Sequence, residues 1–251
     1  MLQLLSLKDI PLVHPGDDLA ALMAAACRRA NLSLTSDDIV VIAQKIVSKA
    51  EGRFVRLSEV TPSEMARRLA DITGKPPAEV EVILWDTAEI IRARKGLLIV
   101  QHRLGFISAN AGVDHSNVSE TGDMLLRLPE DPDASARRIR RRLVDLTGAR
   151  PPVLIIDSHG RPWRWGTVGV TIGLSGLAPV QDLRGRPDLF GERLTRTDVG
   201  FADQIAAAAS LLMGQAAEGV PVVVVRGLPF TPDDNARAAD VLRPKEMDAF
   251  R

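Results

Sequence analysis

Val153-Leu154-Ile155-Ile156-Asp157-Ser158-His159-Gly160 sets an unbroken aliphatic run directly against an acid, a hydroxyl, an imidazole and a glycine. Such a short run is a buried strand, and its polar continuation falls at the strand's C-terminal end. Ile39-Val40-Val41-Ile42-Ala43, after Asp37-Asp38, and Pro221-Val222-Val223-Val224-Val225 read as strands of the same kind. Residues 97–101 predict another, with 105–108 continuing the sheet after a turn. From Gly166 to Gly176 glycine recurs among β-branched neighbours, which points to tight backbone approach in a sheet or loop.

Helical segments lie between these strands. Asp17 or Asp18 caps an Ala/Leu-rich helix running to about Ala30. Thr61-Pro62-Ser63-Glu64 opens a second, which Gly74-Lys75-Pro76-Pro77 ends before 78–84. Asp131-Pro132-Asp133 caps a basic helix over 134–146 that stops at Gly148, and 201–213 is an Ala-rich helix. Residues 10–13 predict a short extended segment broken by His14-Pro15-Gly16, and the charged tail from Pro229 predicts one closing helix. Strands and helices mix without strict alternation, so the fold class is α+β with a mixed sheet. No internal repeat or low-complexity tract is found.

The 251 residues, 45% of them hydrophobic and 25% charged, are those of a globular chain with one large or two small cores. Thirty-two basic residues balance 32 acidic ones, which does not indicate a globally basic nucleic-acid binder. Cys27 is the single cysteine, so no intramolecular disulfide or thiolate metal cluster can form, and its apolar setting reads as a core thiol. Met1-Leu2-Gln3-Leu4-Leu5 lacks a signal peptide's basic start, and no apolar stretch approaches the roughly 20 residues of a bilayer span. Cytoplasmic location without membrane or nucleic-acid partners is expected.

Four stretches hold polar groups in useful density. The loop 110–122 contains Asn110, Asp114, His115, Ser116 and Asn117, whose hard oxygen donors suit Mg²⁺ or Mn²⁺, although an ordinary turn explains the spacing better. Asp157 and Ser158 stand at a strand tip, with Arg161 and Arg164 able to neutralise an anion; turn and surface roles serve equally well. Gln44, Lys45, Ser48 and Lys49 follow a buried strand and can hold a polyphosphate, as solvated surface residues also would. Met213-Gly214-Gln215-Ala216-Ala217-Glu218-Gly219 lets backbone N–H groups approach a phosphate, or simply caps a helix. No Walker A motif, no G-x-G-x-x-G opening a helix after a strand, no metalloprotease histidine pair and no G-x-S-x-G elbow occurs. Arg137, Arg138, Arg140, Arg141 and Arg142 form a basic helix face, best read as solvated or phosphate-facing.

In order and spacing, these stretches resemble the coenzyme F-420 γ-glutamyl ligase family. The matching segments are Ile10-Pro11-Leu12-Val13, Ile46-Val47-Ser48-Lys49-Ala50-Glu51-Gly52, Asn110-Ala111-Gly112-Val113-Asp114 with Ser116-Asn117-Val118, and Leu128-Pro129-Glu130-Asp131-Pro132-Asp133. Asp157-Ser158 with Gly160-Arg161, Met213-Gly214-Gln215 and Val224-Val225-Arg226-Gly227 complete a set spanning nearly the whole chain.

The resemblance implies a two-part monomer in an intertwined homodimer. Residues 1–88 with 197–251 would form a nucleotide-binding part, and 89–196 a middle part with metal ligands and dimer contacts. It implies a GTP-dependent ligase that adds L-glutamate to a deazaflavin precursor, using Mg²⁺ or Mn²⁺ and with K⁺ as a further ion. Asp114, Asp157 and Lys49 would be catalytic; Asp114, Asp157, Ser158 and Gln215 would hold metal. Ile10, Pro11, Leu12, Val13, Gln44, Lys45, Lys49, Asn117, Met213, Gly214, Gln215, Ala216, Ala217, Glu218, Gly219 and Val220 would form the nucleotide site. This chain departs from the pattern at Ser158, often Thr; Gln215, an acid in some members; His159, often apolar or an amide; and His14, where relatives carry Lys. A flavin-binding domain follows in some relatives, so 251 residues match the stand-alone form or a cut fragment. The alternatives are a ligase for another carboxylate acceptor and an inactive nucleotide-binding regulator.

Overall fold

The computed structural model describes residues 1–118 and 122–249. Its elements begin with β1 (Gln3–Leu7), α1 (Leu19–Arg29), β2 (Ile39–Ala43), α2 (Gln44–Ala50) and β3 (Phe54–Arg56). Then follow α3 (Glu64–Thr73), α4 (Pro77–Trp85), β4 (Thr87–Arg94), β5 (Leu97–His102), β6 (Ile107–Ala109) and β7 (Met124–Leu126). The chain continues through α5 (Pro132–Thr147), β8 (Val153–Arg161), β9 (Arg164–Ser175), β10 (Gln181–Asp182), β11 (Asp198–Val199), α6 (Phe201–Met213) and β12 (Val222–Arg226).

The main sheet has the order β1-β12-β2-β8-β9 and is mixed: β2 and β8 run parallel, and the other pairs are antiparallel. Alternate residues of its central strands face two cores. Val40, Ile42, Val153, Ile155, Val222 and Val224 pack with α1, α2 and α5. Ile39, Val41, Leu154, Ile156, Val223 and Val225 pack with α6. Burial on both faces is why these strands read as continuous aliphatic runs instead of alternating ones. Two strands of this sheet, β8 and β9, come from the 89–196 segment, and the other three from the terminal segments.

Two glycines of β9 let helices close onto the sheet. A Cβ on Gly169 would lie 2.5 Å from the Ala206 carbonyl oxygen of α6, and one on Gly173 2.6 Å from the Pro132 carbonyl carbon of α5. Glycine recurrence over 166–176 thus marks close approach within a strand. Gly173→Ala is expected to cost about 1–3 kcal/mol by forcing α5 off the sheet, read as a lower denaturation midpoint at unchanged slope.

Helix starts follow local chemistry. The Asp18 carboxylate accepts from the Ala21 N–H at 3.0 Å, Ser63 Oγ from Ala66 at 3.2 Å, and Asp131 from Ala134 at 2.8 Å. A second sheet, β4-β5-β6, packs Leu98 and Val100 against Ala66, Leu69, Val80 and Ile83 of α3 and α4. β3 pairs with β7, and β10 with β11.

Some sequence expectations need correction. β1, which the sequence did not suggest, precedes residues 10–13, and these carry no regular element of their own. Among the described residues the tail has no closing α-helix, only 3₁₀ turns at Ala238–Val241 and Lys245–Met247. Residues 119–121 of the expected polar loop lie outside the described residues. No helix among the described residues is long and apolar enough to cross a membrane.

Buried charges join the two sheets' surroundings. Asp86, 1% exposed, accepts two hydrogen bonds from Arg127 at 2.8 and 2.7 Å and an ion pair from Arg103 at 2.9 Å. Nearby, burial pushes the His102 imidazole down to about 4; Asp86 works against this, and Arg103 and Arg127 add to it. The unfolded imidazole takes its proton near pH 6.5, whereas the folded one resists protonation until about 4. Stability is therefore full above pH 6.5 and falls as pH drops from there towards 4, by up to roughly 3 kcal/mol. Urea melts of wild type and His102→Gln across this window are expected to converge at acid pH, because the variant lacks this titration.

Candidate functional site

The parallel pair β2 and β8 ends in register, Ala43 opposite Ile156. Gln44 follows where β2 ends, but β8 runs on beside β9 to Arg161, so Asp157 lies within the strand and not at its tip as the sequence suggested. α2 starts immediately at Gln44 without a side-chain cap, turning Lys45 and Lys49 towards the same place. Here lies a cleft of about 1000 Å³, and every residue expected from the sequence to bind nucleotide or metal lines it. Three distant stretches are brought together there: 10–13, 110–118 and 213–220.

Asp114 reaches the cleft through an unusual backbone. Asn110, Ala111 and Gly112 have φ of 54°, 52° and 68°, a left-handed run that an ordinary turn does not need. A Cβ on Gly112 would meet Leu128 Cδ1 at 2.7 Å, so the loop sits tightly on the core. Asp114 then bridges Leu126, and its Oδ2 accepts from Gln44 Nε2 at 2.8 Å and lies 3.4 Å from Lys45 Nζ. Gln44, 3% exposed, is held in turn by Ser48 Oγ at 2.9 Å. Lys45 also donates to the Ser116 carbonyl at 2.8 Å.

Acids and lysines of the cleft feel burial and one another. Burial pushes the Asp114 carboxyl above its ordinary value; Lys45 opposes this, and the Asp157 charge adds to it. Burial likewise lowers the Lys49 ammonium, and the like charge of Lys45 lowers it further. Asp114, Asp157 and Glu218 share the cavity with Lys45 and Lys49; Asp114 and Asp157 repel each other, as do the two lysines, while Lys45 pairs with Asp114. A cation between the acids and an anion beside the lysines would relieve both.

Among the described residues no group of three or more His, Cys, Asp or Glu side chains converges on one point. Two carboxylates with the Ser158 hydroxyl and the Gln215 amide oxygen nevertheless fit Mg²⁺ or Mn²⁺, hard cations that keep water and phosphate oxygens in their shells.

The far wall is the α6 C-terminus and the loop after it. Gly214 ends the helix at φ 70°, and the Glu218 carboxylate folds back to accept from the Ala216 N–H at 2.8 Å. Asn117 Nδ2 donates to the Ala216 carbonyl at 3.0 Å, tying the 110–118 loop to this wall.

Other sequence candidates point elsewhere. His115 turns away to Glu79, 3.3 Å from its Oε1. His14 is exposed outside the cleft, and Arg161 and Arg164 do not line it. The basic face of α5 is largely engaged: Arg138 with Glu51, Arg140 with Asp234 and Arg142 with Asp18. Two contributors were missed. Ser108 lines the cleft with its hydroxyl unpartnered among the described residues, and His159 Nε2 lies 3.0 Å from Asp157 Oδ2. The strand's period of two would have put Asp157 and His159 on one face.

Comparison with known proteins bears on this cleft. The family model described as F420-0:Gamma-glutamyl ligase matches residues 8–227. A Coenzyme F420:L-glutamate ligase of Methanothermobacter thermautotrophicus is 45% identical over 251 residues, covering 100% of this chain and 99% of that protein. One from Methanopyrus kandleri is 45% identical over 255 residues, with 98% of each chain covered. One from Methanocaldococcus jannaschii is 43% identical over 222 residues, covering 88% of each.

Proposed function

The chain belongs to the F420-0:Gamma-glutamyl ligase family, and we propose that it uses GTP to join L-glutamate to the carboxylate of the deazaflavin precursor of coenzyme F420. The observation carrying this proposal is the single cleft in which Asp114 and Asp157 face Lys45 and Lys49. A carboxylate is a poor electrophile, and the cleft has the charges needed to make it a good one.

In the proposed reaction an acceptor carboxylate oxygen attacks the γ-phosphorus of GTP, and the bond to the bridging oxygen breaks to release GDP. The acyl phosphate so formed is attacked at its carbonyl carbon by the glutamate amine. The C–O bond to phosphate breaks, phosphate leaves with the electron pair, and the amine loses its proton to give an amide, which is γ-glutamyl when the activated carboxylate is the γ-carboxylate of a glutamate already attached. Lys49 and Lys45 stabilise charge on the transferring phosphoryl group. The 213–220 loop and the 10–13 segment enclose the nucleotide, with Asn117 holding that loop through Ala216. Asp114, Asp157, Ser158 and Gln215 would hold Mg²⁺ or Mn²⁺, which would supply Lewis-acid polarisation of the phosphoryl oxygens.

A homodimer is part of the proposal. Trp165, Leu189 and Phe190 are 101%, 98% and 93% exposed, and such apolar tips favour burial against a second copy. Light scattering should then give twice the 27.2 kDa chain mass.

Oxygen labelling tests the chemistry. An acceptor carrying ¹⁸O in its carboxylate should deliver one ¹⁸O to the released phosphate. Glutamyl product with unlabelled phosphate would remove the acyl-phosphate route.

A further inference from the structure

We infer that His159 is a positioning residue that aims the Asp157 carboxylate at the cation. The inference rests on the proposed metal role of Asp157, which the proposed function supplies.

Asp157 and His159 lie two residues apart on β8, so their side chains share one face of the strand. His159 Nε2 stands 3.0 Å from Asp157 Oδ2. An ionised carboxylate has no hydrogen to give, so Nε2 carries the proton and donates, whatever the charge of the ring. That contact holds one carboxylate oxygen of a residue that lines the cleft. Free rotation of the carboxyl group would otherwise exchange the two oxygens and swing both away from a cation.

The imidazole is itself fixed. It is 9% exposed, and its ring packs on Phe106, with centroids 5.1 Å apart and planes inclined by 48°. Phe106 in turn stacks on His102 at 4.8 Å and 15°. His102 Nδ1 accepts the Leu104 N–H at 3.0 Å, which anchors the column in the turn between β5 and β6. The Asp157 carboxylate thus stands at one end of a packed column whose other end belongs to the second sheet. Hydrogen-bonded partners behind metal ligands usually set ligand orientation, and their loss costs affinity.

Mn²⁺ binding to the full chain without substrates, followed by loss of the free-ion electron paramagnetic resonance signal, tests this. His159→Phe keeps the ring and its packing but removes the donor; it should weaken Mn²⁺ binding by about 10- to 100-fold. His159→Asn keeps a polar side chain whose amide is too short to reach, and it should lose affinity comparably. His159→Gln places an amide N–H at the reach of Nε2 and should retain most of the affinity. All three should melt near the wild-type temperature in the absence of metal. Unchanged Mn²⁺ affinity in His159→Phe and His159→Asn would overturn the positioning role and leave the metal assignment standing. Equal losses in all three variants would assign the effect to the imidazole itself, overturning the hydrogen bond as its cause. Absence of Mn²⁺ binding by wild type would remove the metal assignment and this inference together.

Discussion

Asp157→Asn is expected to abolish ligation while leaving the protein folded. The amide matches the carboxylate in shape, so the contact with His159 and the strand survive. What disappears is the negative charge that Asp157 presents to the cleft beside Asp114. A metal-supported phosphoryl transfer draws several kcal/mol of transition-state stabilisation from its cation, so losing one carboxylate should lower kcat/KM by about a thousandfold or more. Removing the Asp157 charge also relieves the repulsion that raises the Asp114 carboxyl, so the variant should be no less stable. Turnover measured beside a thermal melt checks both halves. Near-normal turnover would remove Asp157 from the metal site.

The largest expected effect on stability lies away from the cleft. Asp86→Ala leaves Arg127 and Arg103 facing an empty pocket where a nearly inaccessible carboxylate stood. Breaking a buried pair by deleting one partner costs about 3–5 kcal/mol, because the surviving charges stay desolvated. In a domain of this size that is a fall of roughly 6–20 °C in melting temperature. Burial alone would raise the Asp86 carboxyl, but the Arg127 hydrogen bonds and charge prevail and hold it below the ordinary range. Its contribution is therefore present above the unfolded carboxyl's pKa and lost as pH falls through the lower folded value. At neutral pH wild type and Asp86→Ala should differ most, and the gap should narrow in strong acid.

The central strands were readable because both their faces are buried, which leaves residues 39–43, 153–156 and 222–225 no polar position to blur the pattern. The helix after Asp131-Pro132 was readable because it has a cap, a proline at its start and Gly148 at its end, at φ 74°. β4 was not, since its residues are mostly exposed and its Glu and Arg side chains carry no apolar alternation. α2 escaped because it has seven residues, no capping side chain and no gap separating it from β2. β1, QLLSL, lies at the sheet's edge, and its first residue is exposed.

The cleft shows a similar division. Asp114 and Asp157 stood out only as polar residues next to strands, and neither stretch taken alone was better than a turn. Their meeting depends on the register of β2 with β8 and on the left-handed run at 110–112, which are long-range and conformational facts. The resemblance to a family brought these residues into one list, and the fold brings them to one cavity. His159 stood out only as a departure from the family pattern, and its distance from Asp157 gives it a partner.

The most direct measurement incubates the purified chain with the glutamate-free deazaflavin precursor, L-glutamate, GTP and Mn²⁺, and reads the product masses. Products heavier by one or more glutamyl residues, formed only when GTP and metal are both present, are the predicted result. An unchanged precursor mass, with the protein folded and GTP bound, would contradict the ligase assignment for this acceptor.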